Sequence, residues 1–301
     1  MNHIKPRHPL MAAGMSLILP GFGQLYNGMV NRGLLVFMAF TLVTLPLVLW
    51  VTFSLPTSMT LALLILTVMI NAGIWIYGIV DAWKTAKNNE NYILKDWQLP
   101  AVYLLIFLSA IFYFVPSMSQ YMRTNLVESF SVPSVSMAPS VLQGDILFAN
   151  KNYNCVGCAQ AAKRGDIAIF INPNNRTQYY IKRIVGLPGD RIRIEGHQVM
   201  VNSVSLSKGD VDETSNVTVI TEKAGNIEYQ VQYNRRFNKP LKEFIVPNGE
   251  VFVLGDNRNN SKDSRHFGTV PLQDVVGKAS QVWMSRSEDG FRWERLGLVL
   301  K

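Results

Sequence analysis

Between Arg32 and Asp81 the chain contains no Asp, Glu, Lys or Arg, and between Asp96 and Arg123 it contains none again. Charge-free runs of that length suit the interior of a bilayer, where each ionised group would be costly. From Asp145 onward charge recurs every few residues. The front of the chain therefore reads as membrane helices and the back as a water-soluble domain. The boundary is placed so that residues 1–125 form a membrane domain and residues 126–301 a domain outside it.

Leu34–Phe53 and Thr60–Ile79 each supply the roughly 20 apolar residues that a spanning helix needs. Pro100–Pro116 reaches that length only with Trp97 and Met118–Tyr121. Ahead of them, Lys5 and Arg7 precede a short apolar run, Leu10–Leu19, which opens like a signal peptide. It ends in Pro20-Gly21-Phe22-Gly23 rather than a plain cleavage site, so a re-entrant or interfacial segment, or a poor first span, is expected. Lys5, Arg7 and Arg32 precede the first strong span, and Lys84, Lys87 and Lys95 separate the second from the third. By the positive-inside rule these stretches are cytoplasmic, and three crossings put everything after Arg123 on the outer side.

The net charge is +8, with lysines and arginines scattered and no long basic run. That pattern argues against nucleic acid and for an anionic membrane surface as partner. Cys155 and Cys158 lie in a Cys-Val-Gly-Cys turn with no second pair, too few ligands for a structural zinc site. A loop disulfide in an oxidising compartment is the economical reading, and two free thiols the alternative.

The back half is expected to be mainly antiparallel β. Gly144–Asn150, Asp166–Ile171, Gln178–Val185 and Gly249–Leu254 are short apolar or alternating runs punctuated by Gly-Asp and Pro-Gly turns. Arg191–Glu195 and Gln198–Asn202 flank Gly196-His197 like a hairpin. Val217–Thr221, Ile227–Tyr233 and Ser280–Ser285 add further strands.

Chemistry enters with Pro133-Ser134-Val135-Ser136-Met137-Ala138-Pro139, which follows the third span, and with Tyr180-Ile181-Lys182-Arg183. A serine hydroxyl needs a base within hydrogen-bond reach. Of the four histidines, His3 and His8 lie on the cytoplasmic tail, and His197 sits in a hairpin turn. His266, in Ser264-Arg265-His266-Phe267-Gly268, suits a flanking surface role. Lysine can replace histidine once its pKa falls. A drop of about 3 units corresponds to roughly 4 kcal/mol, obtainable by burial. Lys182 suits this, since in a strand Tyr180 shares its face and Ile181 packs on the other.

Taken together, these segments strongly resemble the type I signal peptidases, membrane-bound Ser/Lys proteases that remove signal peptides. The resemblance is carried by Ser134–Ser140 running into Gly144-Asp145-Ile146-Leu147, by Arg164-Gly165-Asp166-Ile167, by Tyr180–Asp190, and by Gly255–Arg265. It implies that Ser136 is the nucleophile, Lys182 the general base, and Ser134 a helper of the Ser136 N–H in holding the oxyanion. It further implies that Ser261 orients the Lys182 amine and that Asp263 and Arg265 form a supporting ion pair. Phe130, Val132, Met137, Val141, Tyr180 and Ile181 match the family's pocket-lining positions. There an extended signal peptide would present alternate side chains to shallow pockets, which suits a small-x-small cleavage rule. Many members have Asp in place of Asn259, Trp in place of Phe267 and Thr in place of Ser140, and usually fewer spans.

The expectation is thus an α-helical transmembrane region followed by an antiparallel β-sheet catalytic domain of signal-peptidase type. It would act as a metal- and cofactor-independent monomer at a bacterial inner membrane, with the catalytic domain outside. Its partners would be signal-peptide-bearing preproteins and the bilayer, with no nucleic acid. The aromatic and basic residues near the end of the chain, Trp283, Phe291, Arg292, Trp293 and Arg295, are of the kind that favours a lipid–water interface, and this region would dip into the outer leaflet. Rival readings are a dedicated processing protease for a conjugation or pilus precursor and a membrane-anchored, non-catalytic binding module. A channel or transporter finds no intramembrane charge to support it.

Overall fold

The computed structural model describes residues 6–54, 57–89, 92–154, 158, 160–213, 217–234 and 241–301. The chain divides into two compact units, Met1–Gln120 and Tyr121–Lys301.

The first unit is helical. It comprises α1 (Pro9–Ile18), α2 (Phe22–Tyr26), α3 (Val30–Ser54), α4 (Thr57–Lys87) and α5 (Pro100–Ser109); α6 (Val115–Asn125) runs on into the second unit. Proline opens both α1 and α5, where its missing N–H leaves no intrahelical bond unmade. At about 15 Å, a ten-residue α1 is half the thickness of a hydrocarbon core. It turns at Pro20-Gly21 and returns through α2, lying against α4.

Side-chain donors stitch this hairpin in place. Gln24 Nε2 donates to the Gly78 carbonyl at 2.7 Å and to Asp81 at 3.1 Å. Asn27 Nδ2 donates to the Ala82 carbonyl at 2.8 Å, and Trp75 Nε1 to that of Ser16 at 3.0 Å. Gly23 has no side chain because a Cβ there would meet Ala82 Cβ at 2.8 Å. Ile65–Lys87 and Pro100–Asn125 are long and apolar enough to cross a bilayer among the described residues. The second takes in the Met118–Tyr121 extension beyond Pro116 and runs on to Asn125. Without an N–H, Pro116 cannot continue the α-helical ladder, and a π turn over Ala110–Phe114 absorbs the break so that α6 carries on.

The second unit is antiparallel β. An eight-stranded sheet has the order β1 (Val127–Ser131), β2 (Asp145–Asn150), β14 (Val275–Ser287), β3 (Ile167–Asn172), β4 (Asn175–Gly186), β12 (Glu250–Leu254), β13 (Val270–Pro271), with β15 (Gly290–Phe291) beside β14. Smaller sheets are formed by β10 (Ile227–Asn234), β9 (Val217–Ala224) and β8 (Ser207–Glu213), and by β11 (Lys242–Ile245), β5 (Arg191–Glu195), β6 (Gln198–Val201) and β7 (Val204–Ser205). Alternation in β2 sends Leu147 and Ala149 into a core with Val132, Met137, Ile169 and Val282.

The sequence reading leaves out β1, β8 and β11, and the two-residue β7, β13 and β15. β1 follows a helix closely and carries a single aromatic residue, Phe130, between two serines, while β8 is polar and contains Gly209. Both depend on pairing, β1 through Phe130 opposite Leu147 and β8 through Val211 opposite Ile220. Cys158 is disulfide-bonded, whereas Cys155, the other cysteine of the chain, lies outside the described residues, as does His3.

A buried ion pair ties the three-stranded sheet to the Gly255–Arg265 segment. Arg258 donates to both Glu222 oxygens at 2.6 and 2.5 Å, and Tyr229 donates to the same carboxylate at 3.0 Å. Both charged side chains are 1% exposed. Removing one partner should strand the other, so Glu222→Ala is expected to cost about 3–5 kcal/mol in urea unfolding. The double variant Glu222→Ala/Arg258→Met should cost less than the single one.

Candidate active site

The segment after β1 holds Ser136 from both sides. Met137 and Val132 anchor it in the core, and Val141 N–H bonds the Met137 carbonyl at 2.9 Å. From the other side Asn257 N–H donates to the Ser136 carbonyl at 3.1 Å, and Asn257 Nδ2 to the Val135 carbonyl at 3.2 Å. The approach is close enough that a Cβ on Gly255 would lie 2.5 Å from the Ser136 carbonyl oxygen and closer still to Ser261 Oγ. Glycine is therefore required at Gly255 for the serine turn to dock.

Lys182 comes from β4, paired with Ala168 of β3. The strand period puts Tyr180 on its face, with the amine 5.4 Å from that ring centroid. Lys182 Nζ donates to Ser136 Oγ at 2.8 Å and to the Ile181 carbonyl at 2.9 Å. Residue exposure is 5% for Lys182 and 9% for Ser136. Burial lowers the Lys182 pKa to about 8, against the opposing fields of Asp263 and Asp256. Ser134 Oγ lies 3.1 Å from Ser136 Oγ.

Asp263 and Asp256 are themselves held by arginines. Arg265 donates to Asp263 at 2.8 and 2.7 Å, and Gly255 N–H adds a bond at 3.0 Å. Burial pushes the Asp263 carboxyl up, but these donors outweigh it and hold the carboxyl below its usual range. Asp263 also caps α7 (Ser264–Phe267). Arg183, wholly buried, makes two bonds to Asp256 at 2.9 and 2.7 Å and a third, at 3.2 Å, to Ser140 Oγ. Asn259 Oδ1 accepts the Asn234 N–H at 2.8 Å, and Phe267 packs against Phe170 and Tyr180 with centroids 6.1 Å apart. His266 is exposed, and the His197 ring stacks on Tyr233 at 4.6 Å.

A cleft of about 530 Å³ opens over the pair. Phe130, Val132, Met137, Tyr180 and Ile181 line it, together with Ser134, Ser136, Lys182 and Ser261. Val141 does not reach it; its side chain is sealed at 0% exposure in the core beneath. Tyr179 joins the lining, with its ring edge-on to Phe130 at 5.5 Å. Sequence reasoning did not single out Tyr179, Asn257, Arg183 or Asp256. The last three stand inside motifs it used, but nothing local says which residue type meets which backbone group. No cluster of three or more His, Cys, Asp or Glu suited to a metal ion occurs among the described residues.

A buried serine bonded to a desolvated lysine, in a cleft of an antiparallel β domain, belongs to the serine endopeptidase class. The family described as Signal peptidase, peptidase S26, matches residues 102–284, and the chain belongs to that family. A Signal peptidase I of Buchnera aphidicola is 30% identical over 261 residues, covering 68% of this chain and 79% of that protein. One from Pseudomonas aeruginosa is 35% identical over 193 residues, 54% of this chain and 67% of the relative. The crystal structure of a signal peptidase I from Enterococcus faecalis is 29% identical, covers 40% of this chain and 97% of its own, and superposes with a TM-score of 0.27.

The lysine fixes the expected pH behaviour. Cleavage should rise with pH up to about 8 and level off above it, as measured by kcat/KM on a peptide substrate. Because the unfolded side chain titrates near 10.4, the folded state binds fewer protons between those two values. This group therefore makes stability rise with pH across that window, and Lys182→Met should remove the rise in urea midpoint.

Proposed function

We propose that the chain removes signal peptides from exported proteins, with Ser136 as nucleophile and Lys182 as general base. The observation that carries this reading is the 2.8 Å bond between a buried lysine amine and a serine hydroxyl at the floor of a cleft. The neutral amine takes the Ser136 Oγ proton as Oγ attacks the scissile carbonyl carbon. The resulting oxyanion is received by the Ser136 N–H and by the Ser134 hydroxyl, whose Oγ lies 3.1 Å from Ser136 Oγ. Collapse expels the new N-terminal amine of the mature protein, protonated by Lys182, and leaves an ester on Ser136. Lys182 then deprotonates the water that hydrolyses the ester. Ser261, buried beside Gly255, helps orient the amine, and the Asp263–Arg265 pair supports that segment.

Substrate binds as an added strand. Among the described residues β1 is an edge, paired to β2 alone, so its outer side is open to an extended peptide. Side chains two residues apart then enter the cleft lined by Phe130, Met137, Tyr180 and Ile181, an alternation that suits a small-x-small cleavage rule.

The helical front of the chain, residues 1–125, serves as a multi-pass anchor in a bacterial inner membrane. The basic residues at Arg32, Lys84 and Lys87 face the cytoplasm and residues 126–301 face outward. Trp283, Phe291 and Trp293 are exposed and would meet the outer leaflet. One copy suffices, because both members of the pair lie in one chain.

Purified full-length protein should cleave an Ala-x-Ala preprotein, whereas Ser136→Ala and Lys182→Ala should each lose about 100-fold or more in kcat with circular dichroism unchanged. Full-rate cleavage by either variant would refute the assignment.

A further inference from the structure

α3 and α4 touch where a Cβ on Gly78 would lie 3.1 Å from Val36, and alongside that contact they bound an open groove of about 740 Å³. Its walls are two helical stripes, Leu35, Val36 and Ala39 on α3 and Ile70, Ile74 and Tyr77 on α4. Gly73 widens it, with nothing within 4 Å of where its Cβ would stand. From Ile70 to Asp81 the groove follows about 17 Å of helix, close to the roughly 15 Å of one hydrocarbon leaflet.

The groove is apolar along its length and charged at one end. Arg32 lies there with its side chain 60% exposed, and its nearest approach to Asp81 is 3.6 Å, too long for a hydrogen bond. Asp81 instead accepts from Gln24 at 3.1 Å. Arg32 and Asp81 thus form a loose ion pair that leaves most of the guanidinium exposed, and Lys84 and Lys87 in the last turn of α4 add positive charge to the same end of that helix.

We propose that this groove binds one anionic glycerophospholipid, with an acyl chain along the stripes and the phosphate on Arg32. A flexible chain fits a slot one leaflet deep whose walls meet at Val36 and Gly78, whereas a peptide helix about 10 Å wide does not. The basic flank of a signal peptide would also face like charge at Arg32, Lys84 and Lys87. A phosphate there receives paired N–H donors, as arginine–phosphate geometry favours.

The test is native mass spectrometry of the full-length protein in detergent, titrated with phosphatidylglycerol or with phosphatidylcholine of the same acyl chains. Phosphatidylglycerol should bind about five- to tenfold more tightly, and Arg32→Gln should erase that preference. Gly73→Leu should weaken both lipids by filling the slot. Preprotein cleavage at the wild-type rate reports that both variants are folded, since neither residue belongs to the catalytic cleft. A preference that survives Arg32→Gln, or binding untouched by Gly73→Leu, overturns the proposal. Displacement of the lipid by soluble glycerophosphate overturns it in favour of a phosphate-only site. Photocrosslinking of a preprotein's apolar segment at Ala39, in place of lipid, overturns it in favour of a peptide groove.

Discussion

The bond from the Lys182 amine to Ser136 Oγ exists only because the amine is kept from water. In solution a lysine would hold its proton and remain surrounded by solvent. Here β4 brings Lys182 to 5% exposure beside Tyr180, and burial is the largest influence on its titration. Two carboxylates nearby would restore the charge if they stood free. Each is instead bound bidentately by its own arginine, Arg265 on Asp263 and Arg183 on Asp256. The arginines spend most of that negative field locally, so desolvation wins.

Everything around the pair serves its registry. Ser136 lies in a turn rather than a regular element, and turns are soft unless they are tied. Asn257 bonds two consecutive carbonyls of that turn, and Gly255 lets the two segments approach without a side chain between them. Arg258 and Glu222 then lock the same segment to β9, so the site's support reaches into a separate small sheet. The open edge of β1 is the complementary feature, one that natural sheets usually protect. In the proposed mechanism a substrate strand completes it.

The helical unit uses polar chemistry in another way. Apolar contacts are non-directional and do not by themselves fix how a short helical hairpin sits against its neighbour. Gln24, Asn27 and Trp75 supply directional bonds to backbone carbonyls instead. These residues sit within stretches that read simply as hydrophobic. Their partners lie about 55 residues away in sequence, a separation that no local pattern reports.

Composition and periodicity settled much of this protein unaided. The absence of charge over long runs announces apolar helices, and period-two alternation after Asp145 announces strands, because both follow from single-chain geometry and solvation. The serine and lysine segments were legible for a similar reason, since a reactive group needs particular neighbours in sequence. Tertiary structure decided what depends on distant partners: that β1 is a strand and an edge, that Val141 belongs beneath the cleft while Tyr179 borders it, and that the helix passes Pro116 through a π turn. It also decided that Lys182 is dry. Burial is a property of everything packed around a residue, and forty-odd positions of intervening chain between Ser136 and Lys182 can bring them to 2.8 Å only after the sheet has formed.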